Sequence, residues 1–239
     1  MKKVLFLANH FITLYNFRRE LIEQLLKEGS EVVLSLPASK ENEYFTKLGC
    51  RIVEADIERR SMNPARELTL LAEYIRLMRD EKPDIVFSYT IKCNIYGSIA
   101  ARLTGSRLIC NITGRGEMLN NGKIRMALAH MLYRISVRHS YKVFFQNTSD
   151  MEYFRENRLI REGHYELIPG SGVNLDVFTP AEMRFDGETR FIFVGRILKL
   201  KGIDEYLKAA EMIRAERDDV RFFVAGFPET KEYEDILEK

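Results

Sequence analysis

The residues from Phe191 to Gly202 hold the chain's clearest chemistry. An apolar run turns at Gly195 and then presents Arg196, Lys199 and Lys201 just before a new helical pattern. The run reads as a buried strand, and Gly195 lets the backbone turn. A helix over roughly Ile203 to Arg217 would aim its free N–H groups at the same point, which is how helix starts hold anions. Arg196 and Lys201 are spaced to clamp a diphosphate without a metal ion.

Other polar groups fall where strands are expected to end. Asn9, His10 and Thr13 follow the first strand, and a loop histidine satisfied by its neighbours accounts for His10 as well as a ligand role does. No G-x-G-x-x-G stands there, which argues against a nicotinamide or flavin enzyme built on that strand. Lys92 and Asn94 stand in an otherwise apolar stretch, where a site and a plain surface are equal readings. The loop with Thr113, Gly114, Arg115, Gly116 and Glu117 offers close backbone approach and charge, against the simpler reading of a flexible glycine loop. Ser149, near His139 and Asp150, lacks a G-x-S-x-G elbow and makes no convincing nucleophile. Cys50, Cys93 and Cys110 are scattered, so metal binding has little support and a reduced compartment fits.

Between Lys123 and Arg138 the pattern is helical, and Lys123, His130, Arg134 and Arg138 fall within about 80° of one another. A core helix with a solvated basic stripe is the simpler reading. The sharper one is a helix that meets anionic lipid headgroups or a lipid diphosphate. From Arg102 to Lys142, Glu117 is the single acid among many basic residues, although the whole chain carries only +2. Such asymmetry points to an anionic partner. Nucleic acid is disfavoured, because no aromatic residues interleave with the basic ones in a known motif.

The elements that must position these groups alternate along the chain. Strands are expected at Lys3–Ala8, Glu31–Leu36, Arg51–Ala55, Asp84–Ser88, Arg107–Asn111, Lys142–Gln146, Glu166–Ile168, Arg190–Val194 and Arg221–Ala225. Helical periodicity fills most gaps; in the first, Leu14, Phe17, Leu21, Leu25 and Leu26 recur and Gly29 ends the helix. This alternation predicts an α/β fold with parallel sheets, whose ligands lie beyond the strands' carboxyl ends. Turn residues from Pro169 to Pro180 divide a first domain, 1–180, from the opening of a second, 181–239. A hydrophobic content of 46% and a charged content of 30% describe a globular chain rather than a disordered one. The apolar start, Val4 to Ala8, is too short for a signal peptide and reads as a buried strand, and no stretch approaches the ~18 uninterrupted apolar residues of a membrane span.

Two segments carry a family resemblance. Ser171-Gly-Val-Asn174-Leu-Asp-Val-Phe178, followed by Gly195-Arg196 through Lys201-Gly202, resembles family 4 glycosyltransferases of the GT-B fold, which pairs two Rossmann-like domains. The usual hinge is Asn-Gly-Val-Asp followed by Phe, so Ser171 and Asn174 depart from it; the Arg and Lys pattern is the more specific half. Tyr15-Asn-Phe17-Arg18, Ser61-Met-Asn63-Pro64, Lys92-Cys-Asn94-Ile-Tyr-Gly97, Gly114-Arg-Gly116 and Asn147-Thr-Ser149 resemble the bacterial subgroup that extends polyprenyl-diphosphate-linked sugars, including enzymes acting on undecaprenyl-diphospho-bacillosamine.

The resemblance implies a retaining, metal-independent transferase with no cofactor beyond a nucleotide-sugar donor such as a UDP-sugar. Arg196 and Lys201 would stabilise the leaving diphosphate, with Gly195, Ser171 and Asn174 also on the donor side. Asn9, His10, Arg18, Lys92, Asn94, Thr113, Arg115, Glu117 and Asn147 would line the acceptor side. Lys123, His130, Arg134 and Arg138 would face an anionic membrane, placing the protein peripherally on the cytoplasmic membrane's inner face. The acceptor would be a glycan or a lipid-linked sugar of polysaccharide or capsule assembly. The family's Glu-x7-Glu pair is expected in the second domain. That spacing occurs only in the first, at Glu20/Glu28, Glu23/Glu31 and Glu73/Glu81. The expectation is a truncated chain, inactive alone. A GT-B-fold nucleotide-sugar epimerase, or the non-catalytic half of a split enzyme with a separately encoded C-terminal half, are the alternatives.

Overall fold

The computed structural model describes residues 1–57, 63–114, 123–182, 186–228 and 233–234. The chain divides into two compact units, Met1–Phe178 and Thr179–Lys239.

The first unit is a seven-stranded parallel sheet in the order β3-β2-β1-β4-β5-β6-β7. Its strands are β1 Lys3–Leu7, β2 Glu31–Leu36, β3 Arg51–Glu54, β4 Ile85–Tyr89, β5 Leu108–Ile112, β6 Lys142–Phe145 and β7 Tyr165–Leu167. The connecting helices are α1 Phe11–Lys27, α2 Glu43–Leu48, α3 Pro64–Glu81, α4 Ile91–Thr104, α5 Lys123–Ile135 and α6 Thr148–Glu156. The strand order reverses between β1 and β4, and the crevice at such a switch point is where open parallel sheets bind ligands.

Alternation along β1 shows how the sheet is covered. Val4, Phe6 and Ala8 join one buried cluster with Leu14, Ile22 and Phe45 of α1 and α2. Leu5 and Leu7 join the other, with Tyr74, Cys93, Ala100, Tyr133 and Phe154 of α3 to α6. Successive side chains of a strand point to opposite faces, so a parallel sheet buried on both sides reads as a continuous apolar run. Gly97 sits where α4 crosses the sheet; a Cβ there would lie 2.8 Å from a Leu7 methyl.

The face that α1 buries differs from the expected one. Leu14, Arg18 and Ile22 are buried, whereas Phe17 is 51% and Leu21 40% exposed. The buried line runs at i, i+4 and i+8, and an arginine occupies its centre.

The second unit is a pair of parallel strands, β8 Thr189–Val194 and β9 Val220–Ala225, joined by α7 Ile203–Arg214. Here α7 ends three residues before the expected Arg217. Its core is Ile197, Ile203 and Tyr233, with Phe193, Tyr206, Leu207 and Val224 packed against it.

Candidate substrate-binding sites

In the second unit the strand-to-helix turn is built from glycines. Gly195 has φ 154° and Gly202, which precedes α7, has φ 79°. Gly195 donates its N–H to the Ala225 carbonyl at 3.0 Å. A Cβ on Gly226 would stand 1.8 Å from the Gly195 carbonyl oxygen, so only glycine fits where the two strand ends meet. Gly226 is a residue the sequence reading passed over; its signal was a glycine directly after the partner strand. Arg196 and Lys201 are both exposed, on the chain that leaves the carboxyl end of β8, and Lys199–Lys201 form a 3₁₀ turn. Asp204 and Glu205 occupy the first turn of α7, and the Tyr233 hydroxyl donates to Asp204 at 2.9 Å. The helix start therefore carries acids of its own, which favour the dipole there.

In the first unit the expected residues lie near the carboxyl edge of the sheet, but several spend their hydrogen bonds internally. His10 caps α1, its Nδ1 accepting from the Ile12 N–H at 3.1 Å. Asn147 caps α6, its Oδ1 accepting from the Asp150 N–H at 2.7 Å and its amide donating to the Asp150 carboxylate. Such caps satisfy backbone donors that a helix start leaves free. Asn94 is 2% exposed. It accepts from the Ser88 hydroxyl at 2.6 Å and donates to the Asn111 carbonyl at 3.0 Å, bracing β4 against β5. The structure thus places it inside the wall rather than on an open surface. Lys92 is ion-paired with Glu67 of α3, both side chains mostly buried. Burial, with Glu67 beside it, pushes the Tyr96 phenol up to about 12. Asn9 is half-buried and Thr113 exposed. Arg115 and Glu117 lie outside the described residues.

Arg18 is the expected residue with the most unusual setting. It is 7% exposed, its guanidinium lies 4.7 Å from the Tyr89 ring centroid, and it donates to the Ser171 hydroxyl at 2.9 Å. Tyr89 closes β4, beside the switch point. The next residue, Thr90, has φ 74°, a strained value for a β-branched side chain. Ser171 also accepts from Gln146 at 3.2 Å, and Asn174 reaches Glu20 of α1 at 3.4 Å. Both hinge residues, expected on the donor side, thus belong to the first unit and bond to its own side chains. A depression of about 660 Å³ lies between α1 and this segment, lined by Tyr15, Phe17, Glu20, Val173, Val177 and Phe178.

The helical pattern expected to run to Arg138 ends at Ile135, and Arg138 stands in a separate 3₁₀ turn, Val137–His139, so the basic residues do not share one helix face; those described turn towards α6. His130 Nε2 lies 2.7 Å from the Tyr153 hydroxyl, Arg134 donates to the Asn157 carbonyl at 3.1 Å, and Arg138 donates to the Arg158 carbonyl at 2.8 Å. Carbonyls at a helix end attract cations. The residues left exposed are largely apolar: Leu128 at 39%, Met131 at 53% and Ile135 at 47%. The simpler sequence reading, apolar side inward and basic stripe in water, holds for the buried Ala129 and Tyr133 and for the exposed Arg134, and fails for Leu128, Met131 and Ile135, which stand exposed beside that arginine. The Lys123 side chain lies outside the described residues. Among the described residues no helix is long and apolar enough to cross a membrane.

Comparison with known proteins follows the two units. A family model described as glycosyl transferase 4-like matches residues 3–147, and one described as glycosyl transferases group 1 matches residues 178–239. The chain is 23% identical, over 92% of its length, to N,N'-diacetylbacillosaminyl-diphospho-undecaprenol alpha-1,3-N-acetylgalactosaminyltransferase of Campylobacter jejuni, and spans 62% of that enzyme. All of the chain superposes on 64% of Anabaena Alr3699/HepE, solved with UDP and glucose, at a TM-score of 0.70 and 13% identity. It also superposes, at a TM-score of 0.67 and 13% identity, on 66% of a Listeria monocytogenes protein assigned as a UDP-N-acetylglucosamine 2-epimerase. These likenesses bear out the expected α/β fold of GT-B type. With the first family model spanning the sheet from β1 to β6, the chain belongs to the glycosyl transferase 4-like family.

Proposed function

We propose that this chain takes part in a retaining sugar transfer from a nucleotide sugar to a polyprenyl-diphosphate-linked or glycan acceptor in bacterial glycan assembly. The observation that carries the reading is the alignment, over 92% of the chain, with a transferase named for a lipid-diphosphate-linked acceptor. The first unit takes the acceptor side and the second opens the donor side. As the sugar C1–O bond breaks, negative charge gathers on the leaving diphosphate. Arg196 and Lys201 are assigned to that charge, in place of a metal ion. Fixed cations aimed where charge develops lower the barrier because they need no reorganisation during the reaction. The acceptor hydroxyl oxygen bonds to C1 on the same face, and its proton leaves with the departing phosphate.

The test uses the intact gene product, a labelled UDP-sugar and a polyprenyl-diphosphate sugar. Label is expected to move into the lipid fraction. Arg196→Ala and Lys201→Ala are each expected to lower the rate by about 10²-fold or more, as loss of a charge-stabilising donor does. Residues 1–239 assayed alone are expected to stay at background, because the Glu-x7-Glu pair of the resemblance is absent from 181–239. Conversion of free nucleotide sugar without acceptor would instead favour an epimerase, the second reading, which the likeness to the Listeria protein supports. Restored transfer on adding a separately encoded chain would identify a split enzyme. For a lipid-linked acceptor the working place is the inner face of the cytoplasmic membrane, and α5, with its exposed Met131 and Ile135, is the contact.

A further inference from the structure

Arg18 is a charge the fold does not neutralise. It stands at the centre of the buried line of α1, where Leu14 and Ile22 flank it. A guanidinium stays charged in proteins and carries five N–H donors. It donates hydrogen bonds to the Phe17 carbonyl and the Ser171 hydroxyl, and its Cζ stands over the Tyr89 ring, 4.7 Å from the centroid. All three partners are neutral. Burial pushes the Tyr89 phenol up to about 12, even with Arg18 beside it, so Tyr89 supplies no counter-charge at ordinary pH. Among the described residues no carboxylate forms an ion pair with Arg18; the nearby Glu20 pairs with Arg19 at 2.9 Å. Burying a charge is expensive unless an opposite charge or a full set of hydrogen bonds meets it.

The surroundings are rich in donors as well. Ser171 accepts from both Arg18 and Gln146, which leaves its own proton to donate outward. Its neighbours Gly170 and Gly172 have φ 85° and 71°, and no atom lies within 4 Å of a Cβ built on either. Ser171 is exposed and Gln146 half-buried, so the cluster opens to solvent. It also lies beside the last residue of β4, at the switch point of the sheet.

We propose that Arg18, Ser171 and Gln146 form a phosphate-recognition site that holds a diphosphate ester at the β1/β4 switch point. Arg18 gives the charge and a planar fork; Ser171 and Gln146 give neutral donors that complete the oxygen shell. The proposal deepens the acceptor-side reading of the first unit and rests on it for the source of the diphosphate, a lipid-linked sugar. A nucleotide diphosphate offers the same chemistry.

The experiment measures binding of UDP and of a short-chain polyprenyl-diphosphate sugar to residues 1–239 by calorimetry, alongside thermal melting. The expected result is that Arg18→Met and Ser171→Ala weaken the polyprenyl-diphosphate sugar by tenfold and about threefold, with UDP affinity unchanged. A matching loss for UDP alone would move the site to the donor and overturn the acceptor assignment. Ser171→Asp guards against misfolding: its carboxylate would pair with Arg18, so the melting temperature should rise while diphosphate binding is lost. Unchanged binding of both probes in Arg18→Met and Ser171→Asp would overturn the proposal. Sugar transfer sensitive to Arg196→Ala would then still stand, so the two readings fail separately.

Discussion

Lys92 and Asn94, two residues apart on α4, were equivalent as letters in the sequence: polar side chains among apolar neighbours. In the fold Lys92 holds Glu67 on α3, and Asn94 ties Ser88 to Asn111 beneath the sheet edge. Asn94→Ala removes the acceptor for the Ser88 hydroxyl and the donor for the Asn111 carbonyl in a buried setting. Stranding such groups costs about 1–3 kcal/mol, which a urea unfolding midpoint will report. Unchanged stability with weakened acceptor binding would return Asn94 to the ligand list. The sequence showed that β4 is followed by polar residues. It did not show which of them are spent on internal bonds, because those partners come from β5 and α3, far along the chain. Arg18 shows the reverse case. Its place was masked by the apolar spacing of Phe17 and Leu21, which the structure leaves exposed.

At the scale of elements, α5 carries the largest revision. A helix has two candidate faces, and its neighbours decide which is covered. Here the carbonyls of Asn157 and Arg158, just past the end of α6, draw Arg134 and Arg138 towards them. That leaves Leu128, Met131 and Ile135 at i, i+3 and i+7 as an exposed stripe. An interfacial helix buries its apolar face in the acyl boundary and keeps cations near the headgroups. Met131→Glu with Ile135→Glu is therefore expected to cut binding to phosphatidylglycerol vesicles at least tenfold, measured by co-sedimentation. Arg134→Ala should cost about 1 kcal/mol, as one cation near an anionic surface does. Loss with the arginine variant alone would restore the basic stripe as the contact. Helix starts are set by nearer partners: Asn63, Asn147 and His10 bond to backbone N–H groups two or three residues ahead, so His10 and Asn147, expected in the cleft, are engaged as caps. Those signals are local.

Across the whole molecule, stability should depend on pH through two histidines. Burial lowers both His130 and His139, and nearby arginines lower them further: Arg134 for the first, Arg102, Arg161 and Arg138 for the second. A histidine depressed in the folded state takes up its proton more readily when unfolded. The stability it contributes is present above its ordinary value near 6.5 and is lost as pH falls towards the lowered folded value. Melting temperature is expected to drop between pH 7 and 5.5, and His130→Gln with His139→Gln should flatten that slope; an unaltered slope would refute the assignment. The nine strands found among the described residues were all legible beforehand, because apolar runs and turn residues are short-range properties of the chain. So were the parallel α/β architecture and the family, through motifs that are themselves contiguous. Only the tertiary structure decided that Arg18 is buried without an acid among the described residues, that Arg134 of α5 turns to the end of α6, and that Gly226 must lack a side chain where it meets Gly195. Each of these depends on which segments pack together, and a pattern read along one segment carries no record of its neighbours.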